Sequence, residues 1–313
     1  MNDAYATSCK IQKENPTSAR RKKRKISGGA LAAKILIGAF LAFFSLSIVI
    51  PFWMIFIKSF MTDTDIMFHP LALWPSAFQF DGYKTVFVNK LYNLGRAFLN
   101  SVYLTLAGTV YQLIVTAFTA YALSRKNLPG KKIFMAYFLF TMYFGGGMIP
   151  YYITIKNLGL KDTLEVMYIP AYMSMFNMLV MRSYFIGLPK ELEEAAKIDG
   201  ASDFRVFATI VLPLSKAILA TIALFISVGL WNNWYTAMLF ITTKDKRPLA
   251  YALQVIIEIC RGTNSSTPDG GAVVVGRSIQ YAAIVITIVP IMCVYPFLQK
   301  YFTSGVLIGS VKG

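Results

Sequence analysis

The sequence predicts an all-α membrane protein with six transmembrane helices, and three observations carry that prediction. Apolar residues make up 56% of the 313-residue chain, and the mean hydropathy is +0.54, well above ordinary globular usage. Several apolar runs reach the ~20 residues that a helix needs to cross a bilayer. Clusters of lysine and arginine sit between alternate runs, which fixes an orientation by the positive-inside rule.

Residues 1–33 form a basic N-terminal tail containing Arg20-Arg21-Lys22-Lys23-Arg24-Lys25. The first span is expected from about Lys34 to Lys58, with both lysines at its edges where their stems can snorkel. Pro51 is expected to kink this helix without ending it, because lipid offers no good alternative to helix. The run is too long, and lacks a small-x-small cleavage site, to be a signal peptide. A mixed segment from about Met61 to Leu94, with Asp63, Asp65 and Asp81, suits the outer face. The second span runs from about Gly95 to Leu123, and the acid-free loop holding Arg125, Lys126, Lys131 and Lys132 returns the chain to the cytoplasm.

The third span is expected from about Ile133 to Ile155, with Gly145-Gly146-Gly147 and Pro150 near its outer end, where three glycines weaken a helix. The fourth runs from about Thr163 to Ile186 and the fifth from about Leu214 to Thr242. An outer loop, Thr243 to Gly276, is rich in Gly, Ser, Thr and Pro. The sixth span, about Ile279 to Phe302, completes a permease domain over residues 34–303 and leaves a tail over residues 304–313. Both termini are then cytoplasmic.

Charge and rare residues exclude several functions. The net charge of +16 lies mainly in the membrane-flanking clusters, where it favours anionic lipid headgroups. No folded basic domain accompanies it, so nucleic acid is not an expected partner. His69 is the only histidine, and Cys9, Cys260 and Cys293 are widely scattered, so neither a histidine metal cluster nor a disulfide framework is expected. No nucleophile-base constellation is visible, and no enzymatic activity is expected. Gly271-Ala272-Val273-Val274-Val275-Gly276-Arg277-Ser278 imitates a phosphate-binding loop, but it enters a membrane span where a true one follows a buried strand. Asn264-Ser265-Ser266 fits the short glycosylation pattern, which arises often by chance.

The most informative segment is polar and lies between the fourth and fifth spans, at residues 188–213. Pro189 suits the first turn of a helix, and Glu191, Glu193 and Glu194 then sit near its positive dipole end. Leu188, Leu192, Ala195 and Ala196 recur at helical spacing and make one apolar face. Gly200 is expected to end this helix and Ser202 to cap a second short one. A membrane-surface helix carries Lys or Arg around a bulky apolar face. Here acids accompany an alanine-rich face, which fits protein contact better.

Glu194-Ala195-Ala196, three residues, Gly200, nine residues, then Ile210-x-Leu212-Pro213 resembles the complete EAA motif of ABC-importer permeases. Trp231-Asn232 and the ending Lys300 to Gly313 are similar to the MalG-type carbohydrate permeases. Gly145-Gly146-Gly147-Met148-Ile149-Pro150 with Lys156-Asn157-Leu158-Gly159-Leu160 resembles the LplC/YtcP branch, associated with complex oligosaccharides. The resemblance covers essentially the whole chain. It implies the MetI/MalG-like permease fold and a place in a bacterial cell membrane. It also implies a homologous second permease as heterodimer partner, two ATPase subunits that bind ATP and magnesium, and an extracellular sugar-binding protein. No cofactor is expected on this chain. The ATPase-coupling residues are then Glu193, Glu194, Ala195, Ala196, Asp199, Gly200, Ile210, Leu212 and Pro213, with Gly309 and Lys312 as tail contacts.

For a solute path, Thr105, Thr109, Gln112, Thr116 and Thr119 form a polar stripe at helical spacing along the second span. Such groups need polar partners or a wet cavity; interhelical bonding and cavity lining both satisfy the threonines. Asn177 and Gln280 are further candidates. Trp231, Asn232, Asn233, Trp234 and Tyr235 combine aromatic faces with amides, a mixture that suits sugars and also suits an interfacial belt. An ABC permease for oligosaccharides is the leading reading. A secondary transporter or channel without an ATPase, and an ABC permease for another solute, stay open. The polar motif and the scarcity of ionisable residues within the spans favour the first.

Overall fold

The computed structural model describes residues 28–88, 93–261 and 276–310, all helix, turn or loop with no strand among them. By its contacts the chain divides into two units, Met1–Pro51 and Phe52–Gly313. Helix α1 is Gly28–Lys58, and Pro51 lies inside it. The continuous apolar run leaves Ala32 to Trp53 exposed on every face, the condition of a helix meant for lipid.

Two short helices, α2 (Asp63–Phe68) and α3 (Asp81–Val88), follow. Thr62 caps α2 by accepting the Asp65 N–H at 3.1 Å. Helix α4, Leu94–Ser124, is the uninterrupted second span and the centre of the larger unit. The third expected span is instead two helices, α5 (Lys131–Tyr143) and α6 (Met148–Asn157), bent by 113°. The triple glycine supplies the break, Gly147 takes φ +85°, and Pro150 restarts the helix in its first turn.

The fourth expected span is corrected more strongly. Only a 3₁₀ turn at Leu164–Met167 and α7, Met175–Ile186, are helical. Pro170 blocks the intervening backbone and Ser174 caps α7 by accepting the Asn177 N–H at 3.5 Å. After α7 come α8 (Lys190–Ile198), α9 (Asp203–Val206), a π-helical turn (Phe207–Val211) and α10 (Leu212–Leu214). A bend of 82° then leads into α11, Lys216–Trp231. The fifth span breaks at Asn232-Asn233, where Asn233 caps α12, Trp234–Phe240.

The expected outer loop contains a helix, α13, Leu249–Cys260. Leu249, Ala252, Ile256 and Ile259 are its buried residues, one face at helical spacing. Helix α14, Arg277–Ser310, absorbs both Pro290 and Pro296 and continues past Phe302 through most of the expected tail. Two helices are thus long and apolar enough to cross a membrane unbroken, and the two bent pairs bring the number to four among the described residues. The pseudo-phosphate loop and the Asn264 pattern fall largely or wholly outside the described residues.

One apolar core joins α4, α7 and α11 through Leu104, Ala117, Met178, Phe185, Ile222 and Leu230. Small residues let these backbones approach, as helix packing in lipid demands. A Cβ on Gly108 would lie 2.6 Å from Leu230 Cδ1 and 3.0 Å from Tyr168 Cβ. A second core joins α3, the start of α4, α13 and α14. Asp63 reinforces it by accepting the Ser278 N–H at 2.8 Å, so a carboxylate sits on the first turn of α14.

Candidate functional site

Helix α8 begins after Pro189, whose extended backbone turns the chain away from α7. It ends in a Schellman arrangement. The Ala201 N–H donates to Ala196 O at 2.9 Å and the Gly200 N–H to Lys197 O at 3.0 Å. Gly200 holds φ +81°, a conformation that costs an L-residue about 1–2 kcal/mol. Ser202 then caps α9 by accepting the Arg205 N–H at 3.3 Å. The motif spacing thus encodes two short helices joined by one obligatory glycine.

The two acids of the motif diverge. Glu193 points inward, is 9% exposed, and forms a forked ion pair with the Arg125 guanidinium, one arm at 3.0 Å. That guanidinium also lies over the Tyr121 ring, 4.3 Å from its centroid. Tyr121 donates its hydroxyl to the Asp203 carbonyl at 3.2 Å. Glu194 points outward with Ala195, Leu192 and Ile198, the last 87% exposed. Asp199 and Gly200 are exposed too, while Ala196 and Leu188 pack against the core. Ile210 and Leu212 also pack there and Pro213 is exposed.

A cleft of about 710 Å³ opens between α4 and α8, lined by Tyr121, Arg125, Lys131, Glu193, Glu194 and Lys197. Lys197 pairs with Asp203 at 2.8 Å, and this contact holds its ammonium above the usual lysine range. Arg125, Tyr121 and Asp203 escaped sequence reasoning as site residues. Sixty-eight positions separate Arg125 from Glu193, and no local period links them.

The proposed solute-path residues do not gather in one place. Gln112 and Asn177 meet in a cleft of about 520 Å³, joined by Ser174, Asn233 and Phe225. Hydroxyl-rich solutes are matched by such amides and a flat ring, and among the described residues no charged side chain lines this cleft. The hydroxyls of Thr105, Thr109 and Thr116 are buried without a hydrogen-bond partner among the described residues, and none of the three lines the cleft. Trp231 is buried, edge-on to Phe98 at 6.0 Å, and donates Nε1–H to Thr287 O at 3.3 Å, so its ring is spent on helix packing. Asn232 donates to Val228 O at 2.9 Å, within its own turn. Trp234 and Tyr235 are exposed, and the Tyr235 hydroxyl lies 3.0 Å from Met148 Sδ. Gln280 is half-buried on α14. Gly309 lies within α14, and Lys312 lies outside the described residues.

One polar clamp was not expected. Asp162, at φ +59°, accepts the Thr242 and Thr243 N–H groups, each at 2.9 Å, and the Thr243 hydroxyl at 2.6 Å. Lys246 adds its ammonium at 3.3 Å. Burial pushes this carboxyl up, but the Thr243, Thr242 and Lys246 donors outweigh it and hold the group well below the usual carboxylate range. The clamp ties the segment after α6 to the segment after α12.

No family model matches the chain. It is 41% identical over 267 residues to protein LplC of Bacillus subtilis (strain 168), covering 85% of this chain and 90% of that protein. To the polygalacturonan/rhamnogalacturonan transport system permease protein YtcP of the same organism it is 37% identical over 281 residues, covering 89% and 98%. Among solved structures, a bacterial ABC transporter involved in the import of the acidic polysaccharide alginate aligns with TM-score 0.78 and 30% identity. That alignment covers 88% of this chain and 98% of that one.

Proposed function

Because this chain belongs to the permease subunits of carbohydrate ABC importers, we propose that α8 is the surface through which a separate ATPase drives it. As a permease of that class it serves sugar or oligosaccharide uptake and is a membrane protein, which answers the secondary-carrier and non-sugar readings. The finer assignments rest on chemistry. Glu194, Ala195, Leu192 and Ile198 together present one acid and an apolar strip that no described residue covers, and that exposure is the observation that carries the docking role. A protein surface of this kind is stabilised when a partner removes it from water.

In this reading two ATPase subunits bind ATP and magnesium, a homologous second permease completes the pore, and an extracellular binding protein delivers the solute. The basic loop from Arg125 to Lys132 and the termini lie on the cytoplasmic side. Closure of the ATPase dimer displaces α8, and the helices around α4 and α11 rock between inward-open and outward-open arrangements. The chain supplies a two-state element whose balance ATP shifts, and no bond is made or broken on it. Gln112, Asn177 and Asn233 line the solute's route and meet its hydroxyls. Gly309 and Lys312 extend the ATPase contact.

The test is Glu194→Lys in the complete importer, purified and reconstituted in proteoliposomes. The expected result is loss of the ATPase from the complex, or ATP hydrolysis without uptake. Normal assembly with normal uptake per ATP would refute the docking role. Uptake should be assayed with neutral oligosaccharides and with uronate oligosaccharides, because one similar protein is named for polygalacturonan and rhamnogalacturonan and a similar structure for the acidic polysaccharide alginate.

A further inference from the structure

Between α8 and the helices that line the solute cleft the chain itself makes two connections and side chains make a third. Backwards, Leu188-Pro189 leads to α7; forwards, the route runs through α9, the π-helical turn at Phe207–Val211, Pro213 and the 82° bend at Ser215 before α11 begins. A π turn and a proline both interrupt the regular hydrogen-bond ladder. A displacement entering this route is absorbed by bending.

The third connection is through side chains onto the last turn of α4. Arg125 forks onto both carboxylate oxygens of Glu193, and a forked pair fixes direction as well as distance. Its guanidinium is stacked on Tyr121, one turn back on α4, and Tyr121 in turn holds the Asp203 carbonyl of α9. The end of α4 is itself held from two other helices. Lys131 at the start of α5 donates to the Arg125 carbonyl at 2.8 Å, and Arg182 of α7 donates to the Leu123 carbonyl at 3.0 Å. From Gln112 to Ser124, the last residue of α4, the helix is unbroken, about 18 Å at 1.5 Å per residue, and Arg125 follows as its C-cap.

We infer that Arg125 is a positioning residue for transport: its forked bond to Glu193 makes α4 the rod that carries the displacement of α8 to the solute cleft. The covalent route through Pro213 serves as a hinge that lets α8 move. Glu193 and Glu194 then divide the work, the first holding this chain and the second facing the ATPase. The inference rests on the docking role proposed for α8, and the two can fail separately.

The experiment uses the complete importer in proteoliposomes and reads ATP hydrolysed, solute taken up, and ATPase retained on purification. Arg125→Ala should keep the ATPase bound and hydrolysing while uptake per ATP falls about tenfold, the size of a typical coupling between sites. Arg125→Lys keeps the charge but loses the fork and the stack, and should give an intermediate ratio; it also replaces the alanine variant if that one does not assemble. The exchange Arg125→Glu with Glu193→Arg should recover uptake per ATP relative to either single change. A wild-type ratio in Arg125→Ala and Arg125→Lys, or an exchange no better than its singles, overturns the inference. If the wild-type complex holds no ATPase, the docking role itself fails.

Discussion

Replacing Asp162 by Asn tests the clamp that joins two distant connecting segments. Asn tolerates the left-handed backbone about as well as Asp, so the φ of +59° is not perturbed. The amide keeps one acceptor oxygen for the Thr242 and Thr243 N–H groups but loses the charge that strengthens both bonds. Charged hydrogen bonds contribute about 1.5–3 kcal/mol against about 1 for neutral ones. The half-exposed Lys246 contact adds at most about 1 kcal/mol. The expected loss is about 2–3 kcal/mol, or a fall in Tm on the order of 5 °C for a chain of this size.

The pH dependence has a definite sign. Asp162 is depressed in the folded protein, so its contribution is fully present above the unfolded value near ~3.9 and is lost as pH falls below it. Thermal unfolding of wild type and Asp162→Asn in detergent should show a constant gap from pH 7 to 5. Below about pH 4 the gap should shrink by roughly 1.4 kcal/mol per unit. Equal Tm values at pH 7, or a gap that widens on acidification, would refute the reasoning.

Other positions make separate predictions. Gly200→Ala should cost about 1–2 kcal/mol through its positive φ and fray the α8–α9 turn, seen as faster amide exchange at positions 200 and 201 than in wild type. Gln112→Leu should raise the KM for solute about tenfold, the value of one hydrogen bond of ~1.4 kcal/mol, with Tm unchanged; an unchanged KM removes Gln112 from the route. Trp231→Ala should destabilise by about 3–5 kcal/mol, since its ring is 8% exposed and packed edge-on against Phe98. Trp234→Ala should leave Tm within a degree or two, because its ring is at the surface.

Helix α4 was legible almost to the residue, because one long apolar run is bounded by Asn93-Leu94-Gly95 at its start and by Arg125-Lys126 at its end. The spans that differ from expectation share a cause. Hydropathy reports that a segment avoids water, not that its backbone is continuous. Gly145 to Gly147, Pro170 and Asn232-Asn233 each carried a break signal inside an apolar stretch, and each marks a real interruption. Helix α13 was hidden by the polar residues around it, although Leu249, Ala252, Ile256 and Ile259 already show a helical face. The outline of the α8 site followed from motif spacing, Ser202 and Gly200 included. Its inner half did not, because the bond from Glu193 to Arg125 depends on how α4 and α8 meet in space.

The bond from Asp63 to the first turn of α14 spans 215 positions, which sets an order of events during synthesis. Asp63 and the aromatic residues near it, Phe60, Phe78, Phe80 and Tyr83, emerge from the ribosome long before Ser278 exists. Until then the carboxylate has no helix end to cap, and the α3 face that later meets α14 stays open. A nascent chain that stops before Gly276 therefore carries an unsealed patch that a finished chain lacks.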